Sequence, residues 1–458
     1  MTVNLTTAYV AAAMRNRGYS VFEGAPADVT GGAADSRKVE PGDLFAAFPG
    51  ENVDGIAFVP EALAAGAVAI VCSRMPEGDA PNATVVVAPD VTRAVGELAS
   101  DWRRECGPRV VGITGTVGKT TAKEFTAAVL SQRLRTHFSP GNLNSREGLP
   151  LALMSLRRDH EVSVLELAMD SPGEIAELCA IAEPEVGAVL NIGLTHVSKL
   201  GSIEAIAAEK LSLARALPRT GTAILNIDDP RVAVVAPDLA CSVITFGEAE
   251  GAILRRGEIT DRGLDGTSFD VTFGETTERV HSPLPGAHTV PAALTAMGAA
   301  LALGMNLRGA SSAVSLARAT GRAVITHTEI GATVIDDRYN SSPASLVGAL
   351  GMLAGLPGRR IAFLGRMAEL GDFEEEEHRR AGTIAAGSCD ILFCSGETCL
   401  PLAEAARVAG HGDVRWFETK EEAAAAAARI LEPGDYVLVK ASRGEAFETI
   451  LPVLEGAR

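Results

Sequence analysis

The chain has 458 residues, of which 47% are hydrophobic and 22% are charged, and its formal net charge is −17 at pH 7. A chain of this length and composition is expected to be globular and to form about three domains. The negative charge argues against a surface that binds the phosphate backbone of nucleic acids. The sequence has no apolar run of about 18 residues, so no membrane span is predicted.

The seven cysteines and the first residues of the sequence indicate its compartment. The cysteines have neither disulfide-framework nor zinc-site spacing, so we expect buried or free thiols in a reducing environment. Residues 1–18 are typical of a short amphipathic helix and lack the basic start and apolar core of a secretory leader. We therefore predict a cytoplasmic protein.

Residues 1–106 form the first predicted unit, in which short strands alternate with helices as in a small α/β domain. It contains two polar loops, one at Ser36-Arg37 and one at Asp54-Gly55. Such residues are also common in turns that have no function beyond connecting elements. Helices are predicted over 58–67 and 90–106, and the second of them leads to the next unit.

The second predicted unit, residues 107–321, opens with Val-Val-Gly-Ile-Thr-Gly-Thr-Val-Gly-Lys-Thr-Thr at 110–121. A β-branched run, a glycine-rich loop and a helical stretch in this order predict a strand, a phosphate-binding loop and a helix. Lys119 can reach the β- and γ-phosphates and the Thr120 hydroxyl can ligate Mg²⁺, so we predict a site for an ATP-type nucleotide. The strict motif has glycine at position 113, where this chain has Ile113. The residues expected at the phosphates are Gly115, Thr116, Gly118, Lys119, Thr120 and Thr121.

Three further residues of this unit, Glu166, His196 and Lys210, are weighed as candidate functional residues by their position in predicted strands and helices. Glu166 closes a buried-strand pattern, and a carboxylate at the end of a strand beside a phosphate-binding loop is well placed to ligate a metal. His196 follows the next strand, and its surroundings in the sequence leave a functional and a structural role equally open. Lys210 lies in an apolar helix and, on sequence alone, is typical of a solvated lysine. Period-two alternation predicts a β-rich insertion over 250–282.

The third predicted unit covers residues 322–458 and again alternates strands with helices. In the second and third units this alternation predicts parallel sheets with helices on both faces, and the third unit is expected to be Rossmann-like. The acidic run 374–378 is interpreted as the solvated face of a helix.

Taken together, these segments resemble the Mur ligases, which build the peptide stem of bacterial peptidoglycan. The matching motifs occur in the family's order over nearly the whole chain: Gly115 to Thr120, Gly141-Asn142-Leu143-Asn144, Glu166 with Gly173-Glu174-Ile175, His196 with Gly201-Ser202, Leu284-Pro285-Gly286-x-His288, Gly321-Arg322, Asp336-Asp337-x-Tyr339-Asn340-x-x-Pro343 and Met367-Ala368-Glu369-Leu370-Gly371. The last two stretches favour the family member that adds D-alanyl-D-alanine to a UDP-linked muramoyl tripeptide.

This resemblance implies three α/β domains: a small UDP-binding domain, a central ATPase domain with a phosphate-binding loop, and a C-terminal Rossmann-like domain. ATP would phosphorylate the carboxylate of the UDP-linked tripeptide, and the amine of D-alanyl-D-alanine would then displace phosphate from the acyl-phosphate. Such phosphoryl transfer depends mainly on positioning and charge neutralisation. The chain would act as a monomer.

The resemblance also assigns roles to individual residues. Thr120 and Glu166 would hold the Mg²⁺ that bridges the β- and γ-phosphates, and His196 would help to hold a second ion. Lys210 matches a lysine that such ligases carbamylate, which would convert it into a carboxylate-like metal ligand. The catalytic residues would be Lys119, His196 and Lys210, the other nucleotide contacts Asn142, Arg322, Asp337 and Asn340, and the substrate contacts Ser36, Arg37, Asp54, Asn144, Ser442 and Arg443.

Three positions depart from the family pattern. Thr289 stands where the family usually has asparagine, Arg338 where a small residue is usual, and Arg366 where an acidic residue is usual, which puts the adenine contacts in doubt.

Two other functions fit part of the sequence. One alternative is another amino-acid-adding ligase of the Mur or folylpolyglutamate type. The other is a nucleotide-binding module without ligase chemistry.

Overall fold

The fold is built on three large β-sheets, each from a different stretch of the chain, in a computed structural model that describes residues 4–50, 53–77, 82–193, 197–317 and 324–456. Within these ranges, no helix combines the length and the apolar composition needed to cross a bilayer. All seven cysteines lie within the same ranges; none forms a disulfide, and five of them are buried.

The first sheet belongs to the N-terminal stretch. Its elements are β1 (Leu5–Thr6), α1 (Thr7–Asn16), β2 (Ser20–Phe22), β3 (Asp28–Val29), β4 (Gly31–Ala33), β5 (Asp43–Ala46), α2 (Val59–Ala64), β6 (Ala69–Cys72), β7 (Thr84–Val87) and α3 (Val91–Cys106). Five strands form a sheet in the order β2-β7-β6-β5-β4, in which β4 to β7 are parallel, while β1 pairs with β3. The helix predicted over 58–67 is shorter, since a 3-10 helix at Gly55–Phe58 precedes α2.

The α3 helix joins this stretch to the next one. Asp90 caps its first turn by accepting the amide of Arg93 at 2.9 Å, and Gly107 ends the helix in the left-handed region at φ 65°. The Trp102 ring is fully buried and donates its indole N–H to the carbonyl of Leu156 at 2.8 Å. A buried aromatic ring with its single donor satisfied is a firm anchor between two parts of a chain.

The second sheet has ten strands. Its elements are β8 (Arg109–Thr114), α4 (Lys119–Leu130), β9 (Thr136–Phe138), α5 (Gly148–Leu153), β10 (Val162–Glu166), α6 (Glu174–Ala182), β11 (Val186–Val189), α7 (Val197–Leu200), α8 (Ile203–Arg215), β12 (Thr222–Asn226), α9 (Pro230–Ala233), β13 (Ser242–Gly247), β14 (Leu254–Arg256), β15 (Thr260–Asp261), β16 (Thr267–Phe273), β17 (Thr276–Ser282), α10 (Val290–Ala302) and α11 (Leu307–Leu316). The strand order is β15-β16-β14-β13-β12-β11-β8-β10-β9, and β17 pairs with β16.

The second sheet is parallel in its centre and antiparallel at one edge. Strands β8 to β14 are joined by parallel pairings, but β16 runs antiparallel to β14, β15 and β17. The predicted β-rich insertion thus extends the central sheet as an antiparallel edge. Mixed sheets of this kind are common among large α/β folds, and short hairpins at an edge need no helical crossover.

The third sheet has six strands. Its elements are β18 (Val324–His327), β19 (Thr333–Asp336), α12 (Pro343–Ala354), β20 (Arg360–Leu364), α13 (Glu374–Ala385), β21 (Ile391–Ser395), α14 (Leu400–Val408), β22 (Val414–Phe417), α15 (Lys420–Ala428), β23 (Tyr436–Lys440) and α16 (Leu451–Glu455). The order is β18-β19-β23-β20-β21-β22, parallel throughout except for β18. The acidic run is only partly a solvated face, because His378 is fully buried and Glu374 pairs with Arg366.

Candidate active site

The predicted phosphate-binding loop lies at the carboxyl end of a central strand. It connects β8 to α4, and β8 lies between β10 and β11 in the sheet. Gly118 adopts a left-handed conformation at φ 80° immediately before the helix, which an L side chain rarely adopts. Lys119 then opens α4, and its Nζ donates to the carbonyl of Thr116 at 3.1 Å. The loop therefore has the strand, turn and helix N-terminus of an anion site.

Asn191 supports this loop from the segment that follows the neighbouring strand β11. Its Oδ1 accepts the backbone amides of Thr116 at 3.1 Å and Val117 at 2.9 Å. Its Nδ2 donates to the carbonyl of Val117 at 3.0 Å, so one side chain makes three hydrogen bonds to the loop. These bonds fix the backbone of the loop in one conformation.

Lys210 is not the solvated lysine that its sequence context suggested. It lies in α8 with only 1% of its surface exposed, and its Nζ donates to the carbonyl of Gly115 at 2.9 Å. Burial lowers the pKa of Lys210 well below its usual value, and the nearby charge of Lys119 lowers it further. Since burial disfavours the charged form of an amine, this side chain favours the neutral form.

Glu166 lies at the end of β10, on the other side of the loop. Its Oε1 accepts the side-chain amide of Asn144 at 2.8 Å. Its Oε2 is buried and receives no hydrogen bond from any residue that the structure describes. A buried carboxylate oxygen without a donor is costly unless a cation or a ligand satisfies it. Thr120, which lines the same cavity, is also buried.

Lys123 positions the polar loop that carries Asn142 and Asn144. It is fully buried in α4, and its Nζ donates to the carbonyls of Ser139 at 2.6 Å and Gly141 at 3.1 Å. The loop is thereby tied to the helix that begins at the phosphate-binding loop.

The third sheet contributes the opposite wall. Asp337 follows β19, and its carboxylate accepts a hydrogen bond from Lys440 Nζ at 2.6 Å. Lys440 has no exposed surface, and its Nζ also donates to the carbonyl of Asn340 at 3.0 Å. Ser442 accepts the amide of Ala368 at 2.8 Å. The guanidinium of Arg443 lies 5.9 Å from the centre of the Tyr339 ring.

Loops of the second and third sheets together line one cavity of about 530 Å³. The sequence-predicted residues that line it are Thr116, Gly118, Lys119, Thr120, Asn142, Asn144, Glu166, Asn340, Ser442 and Arg443. A cavity of this size and polarity suits a phosphorylated ligand together with a second small molecule.

A smaller cavity of about 120 Å³ adjoins the phosphate-binding loop. It is lined by Val117, Gly118 and Thr121 on one side and by Asp337 and Lys440 on the other, with a mainly apolar floor. Two of the positions that depart from the family pattern, Thr289 and Arg366, have hydrogen-bond or ion-pair partners within the protein. Thr289 lines this cavity, but its hydroxyl donates to the carbonyl of Gly286 at 2.8 Å, and Arg366 forms an ion pair with Glu374.

Three predicted substrate contacts do not line either cavity. Ser36 donates to Glu61 at 2.7 Å, Arg37 pairs with Asp35 at 2.9 Å, and Asp54 pairs with Arg74 at 2.8 Å. The backbone amide of Ile56, and then Arg74, lower the pKa of Asp54. These side chains follow β4 and β5 at the carboxyl edge of the first sheet, where ligands of open parallel sheets bind.

Two predicted residues, His196 and Arg322, lie outside the described residues. In the parts of the chain that are described, no cluster of three or more His, Cys, Asp or Glu side chains is arranged to hold a metal ion. A cation beside Glu166 would therefore depend largely on hydroxyl, phosphate and water oxygens, as is usual for Mg²⁺.

Family models match three successive stretches of the chain. The Mur ligase family catalytic domain matches residues 28–103, the Mur ligase middle domain residues 113–300, and the Mur ligase glutamate ligase domain residues 321–443. The chain belongs to the Mur ligase family.

Individual relatives and solved structures resemble this Mur ligase over almost its full length. The UDP-N-acetylmuramoyl-tripeptide–D-alanyl-D-alanine ligase of Bacillus subtilis is 33% identical over 92% of each chain, and that of Escherichia coli is 31% identical over 95% of each. A crystal structure of MurF from Acinetobacter baumannii superposes with a TM-score of 0.86 and 27% identity over 99% of this chain and 100% of that one. MurF from Thermotoga maritima in complex with ADP superposes with a TM-score of 0.78 and 26% identity over 93% and 97%.

Sequence reasoning missed several residues that shape the site of this Mur ligase. Asn191, Lys123 and Lys440 all contact site loops through side-chain hydrogen bonds, but none was predicted to do so. The available signal was a polar residue at the end of a buried strand for Asn191 and Lys440, and a lysine among apolar helix residues for Lys123.

Proposed function

We propose that this Mur ligase uses ATP to join D-alanyl-D-alanine to UDP-N-acetylmuramoyl-tripeptide, forming ADP, phosphate and the UDP-linked pentapeptide. The observation that carries the proposal is the shared cavity, in which the phosphate-binding loop and Glu166 face Ser442 and Arg443 of the third sheet. The curated relatives with this activity match the chain from end to end, which supports the same chemistry here.

The reaction would proceed in two steps within that cavity. The tripeptide carboxylate attacks the γ-phosphorus of ATP, so that ADP leaves and an acyl-phosphate forms. The amine of D-alanyl-D-alanine then attacks the acyl carbon, an amide bond forms, the C–O bond to phosphate breaks, and the amine proton is released. The loop amides and Lys119 would stabilise the charge that develops on the transferred phosphoryl group.

Two sets of residues would hold the nucleotide and its metal. The six predicted residues from Gly115 to Thr121, with Asn142, Asp337, Asn340 and Arg322, would bind ATP. Thr120 and Glu166 would hold Mg²⁺, and Oε2 of Glu166 fits that role because it is a buried carboxylate oxygen that receives no hydrogen bond from the described residues. When bound, the ion neutralises phosphate charge. His196 and a second ion belong to the same proposal.

Lys210 would be carbamylated. Its burial favours the neutral amine, and a neutral amine adds to the carbon of CO₂ with loss of one proton to give a carbamate. The product is an anion beside the phosphate-binding loop, which would serve as a further oxygen ligand for a cation.

The first sheet would bind the UDP part of the acceptor. Ser36, Arg37 and Asp54 lie at its carboxyl edge, and exposed apolar side chains follow β5 and β6: Val53 is 53% exposed, Phe58 42% and Met75 47%. Apolar surface next to charged groups suits a nucleotide, whose base stacks while its phosphates pair with cations. Asn144, Ser442 and Arg443 would contact the reacting ends of the two substrates.

Phosphate release from ATP tests the proposal directly. With UDP-N-acetylmuramoyl-tripeptide and D-alanyl-D-alanine we expect release that requires both substrates, together with a pentapeptide product seen by mass spectrometry. Release with a single amino acid in place of the dipeptide would indicate a sister ligase of the family. ATP binding without any substrate-dependent release would contradict the ligase function. The cytoplasmic location and the monomeric state stay predictions.

A further inference from the structure

Helix α12 contacts two parts of the chain. Leu346, Leu350 and Leu353 pack in the core of the third sheet. Gly348 and Met352, which are four residues apart, lie on one face of the helix, and that face meets a loop of the second sheet. The position of α12 therefore links the third sheet to the loops of the second.

The first contact is made by the imidazole ring of His288, in a 3-10 helix at Ala287–Thr289 that precedes α10. A Cβ placed on Gly348 would lie 2.6 Å from Cγ and 2.7 Å from Cβ of His288. A Cβ placed on Gly286 would lie 2.7 Å from Nδ1 of the same ring and 3.2 Å from Cβ of Met352. Since non-bonded carbon atoms in contact lie about 3.5 to 4.0 Å apart, the ring packs directly on the backbone of both glycines.

The second contact lies at the other end of α12 and comes from the β-rich insertion. A 3-10 helix at Gly263–Asp265 follows β15, and its Leu264 side chain packs against the core of the third sheet. A Cβ on Gly263 would lie 3.4 Å from Cδ2 of Leu356, close to an ordinary van der Waals distance. Two elements of the second sheet that are separate in sequence thus contact α12 near its middle and at its end. We call Leu264 and His288 the α12 seat.

The N-terminal end of α12 belongs to the wall of the main cavity. The amide of Ser342 donates to Oγ of Ser345 at 2.9 Å, and both residues line that cavity. The carbonyl of Ser341 accepts the hydroxyl of Ser442 at 3.3 Å, which joins the loop after β23 to the same segment. Gly348 follows Ser342 by six residues, or about 9 Å along a helix. A shift of α12 at the seat would therefore move this wall as well.

We propose that the α12 seat sets the position of the third-sheet wall of the main cavity relative to the phosphate-binding loop. Leu264 and His288 are thereby positioning residues for the reaction. The kinetic consequence rests on the proposed function, whereas the seat itself does not. The inference also gives the antiparallel edge of the central sheet a role, because that edge carries Leu264 to the core of the third sheet.

Steady-state kinetics of Gly348→Ala tests the contact with His288. The new methyl carbon, at 2.6 Å from Cγ, must separate from the ring by about 1 Å to reach an ordinary contact distance. Because Cβ of His288 is equally close, rotation of the ring alone does not relieve the overlap, so α12 has to move. A misplacement of about 1 Å can cost about 100-fold in rate. We expect kcat to fall about 10- to 100-fold and the KM for ATP to rise less than about threefold, since the lost contacts matter most in the transition state.

Gly351→Ala is the matched control on the same helix. A Cβ on Gly351 would meet no heavy atom within 4 Å in the described parts of the chain. Both substitutions replace a glycine by alanine inside α12, so their effect on helix propensity is the same and only Gly348→Ala disturbs the seat. The control should change kcat and the KM for ATP less than about twofold.

Amide hydrogen exchange tests the contact of Leu264 without any substrate. Leu264→Asp places a charge against an apolar core, so residues 259–266 and 351–357 should exchange at least about 10-fold faster than in the native protein. Ile253→Asp is the control, because Ile253 is an exposed apolar residue of the same insertion, and both segments should exchange there as in the native protein.

The conservative variant Leu264→Met separates positioning from a general loss of structure. It keeps an apolar side chain of similar volume at the seat, so its kcat should stay within about threefold of the native value. In Leu264→Asp we expect kcat to fall at least about 10-fold, with the KM for ATP again changing less than kcat.

Three results would overturn the inference. They are a native kcat in Gly348→Ala, an equal fall of kcat in Gly351→Ala, and native hydrogen exchange in Leu264→Asp. If the native enzyme shows no substrate-dependent phosphate release, the proposed function fails, and the exchange experiment alone then decides whether the seat exists.

Discussion

Replacing Asn191 by alanine removes a side chain that makes three hydrogen bonds to the phosphate-binding loop. The strand that precedes it ends two residues earlier, at Val189, so the sheet itself should remain intact. The change therefore tests whether the loop needs this support to bind ATP.

The magnitude follows from the bonds that are lost. The amide of Thr116 retains a second acceptor, the main-chain carbonyl of residue 191 at 3.0 Å, so its loss is partly compensated. The amide and the carbonyl of Val117 lose their partner, at about 1 kcal/mol for each hydrogen bond, or about 2 kcal/mol together. That free energy corresponds to at most about a 30-fold rise in the KM for ATP, and we expect a rise between about 3- and 30-fold.

The assay is phosphate release at varied ATP with both other substrates saturating, together with calorimetric titration of ADP. Asn226→Ala is the matched control, because Asn226 ends the adjacent strand and donates to the carbonyl of Leu190 at 2.9 Å. Its side chain supports the backbone next to Asn191 and, among the residues that the structure describes, makes no hydrogen bond to the loop itself. The control should change the KM for ATP less than about twofold.

A normal KM for ATP and normal ADP affinity in folded Asn191→Ala would refute this reasoning. It would mean that the glycine-rich backbone holds its conformation without the amide. A rise of equal size in the control would also refute it, because the effect would then come from the strand ends in general.

Three other changes have defined outcomes. Glu166→Gln keeps an acceptor for Asn144 but loses the anionic Oε2, so the rate of phosphate release should fall about 100-fold or more and require higher Mg²⁺; an unchanged Mg²⁺ dependence would contradict the metal assignment. Lys210→Ala should lose most activity and regain part of it with added acetate or formate, which can replace a carbamate, whereas full activity without additives would exclude a role for this lysine. Burial lowers the pKa of His137 to about 3 from 6.5, so the unfolded chain takes up this proton first as the pH falls and stability is lost below about pH 6.5. Between pH 7 and 5 this residue should cost about 2 kcal/mol of unfolding free energy in urea titrations, and an equally steep pH dependence in His137→Gln would contradict it.

Much of the fold could be predicted because its signals are local. The phosphate-binding loop is contiguous in sequence, so its strand, turn and helix were all predicted from 110–121 and lie in the structure as β8, the loop and α4. The β-rich insertion predicted over 250–282 contains β14 to β17, since period-two alternation is a local signal. The pairing of this insertion with the central sheet was not predicted, because strand pairing depends on contacts that are distant in sequence.

The supporting residues of the site could not be predicted for the same reason. Asn191 contacts residues 74 and 75 positions away, and Lys440 contacts residues 100 and 103 positions away. Nothing in their sequence neighbourhood separates them from ordinary strand ends. The sequence context of Lys210 favoured a solvated side chain, but the side chain is buried. Apolar neighbours in a helix are typical of both a buried and a half-exposed lysine, so they could not separate the two.

The burial of the thiols makes this protein suitable for site-specific spectroscopic labelling. Burial raises the pKa of Cys72 to about 11 and those of Cys106, Cys179, Cys389 and Cys399 to about 12, and it raises the pKa of Cys394 well above its usual value. Since the thiolate is the reactive form, maleimide dyes should leave these six side chains largely unmodified near neutral pH. With the half-buried Cys241 replaced by serine, cysteines introduced on the first and third sheets could carry a fluorescent donor and acceptor. Energy transfer between them would then follow domain movement during turnover, molecule by molecule.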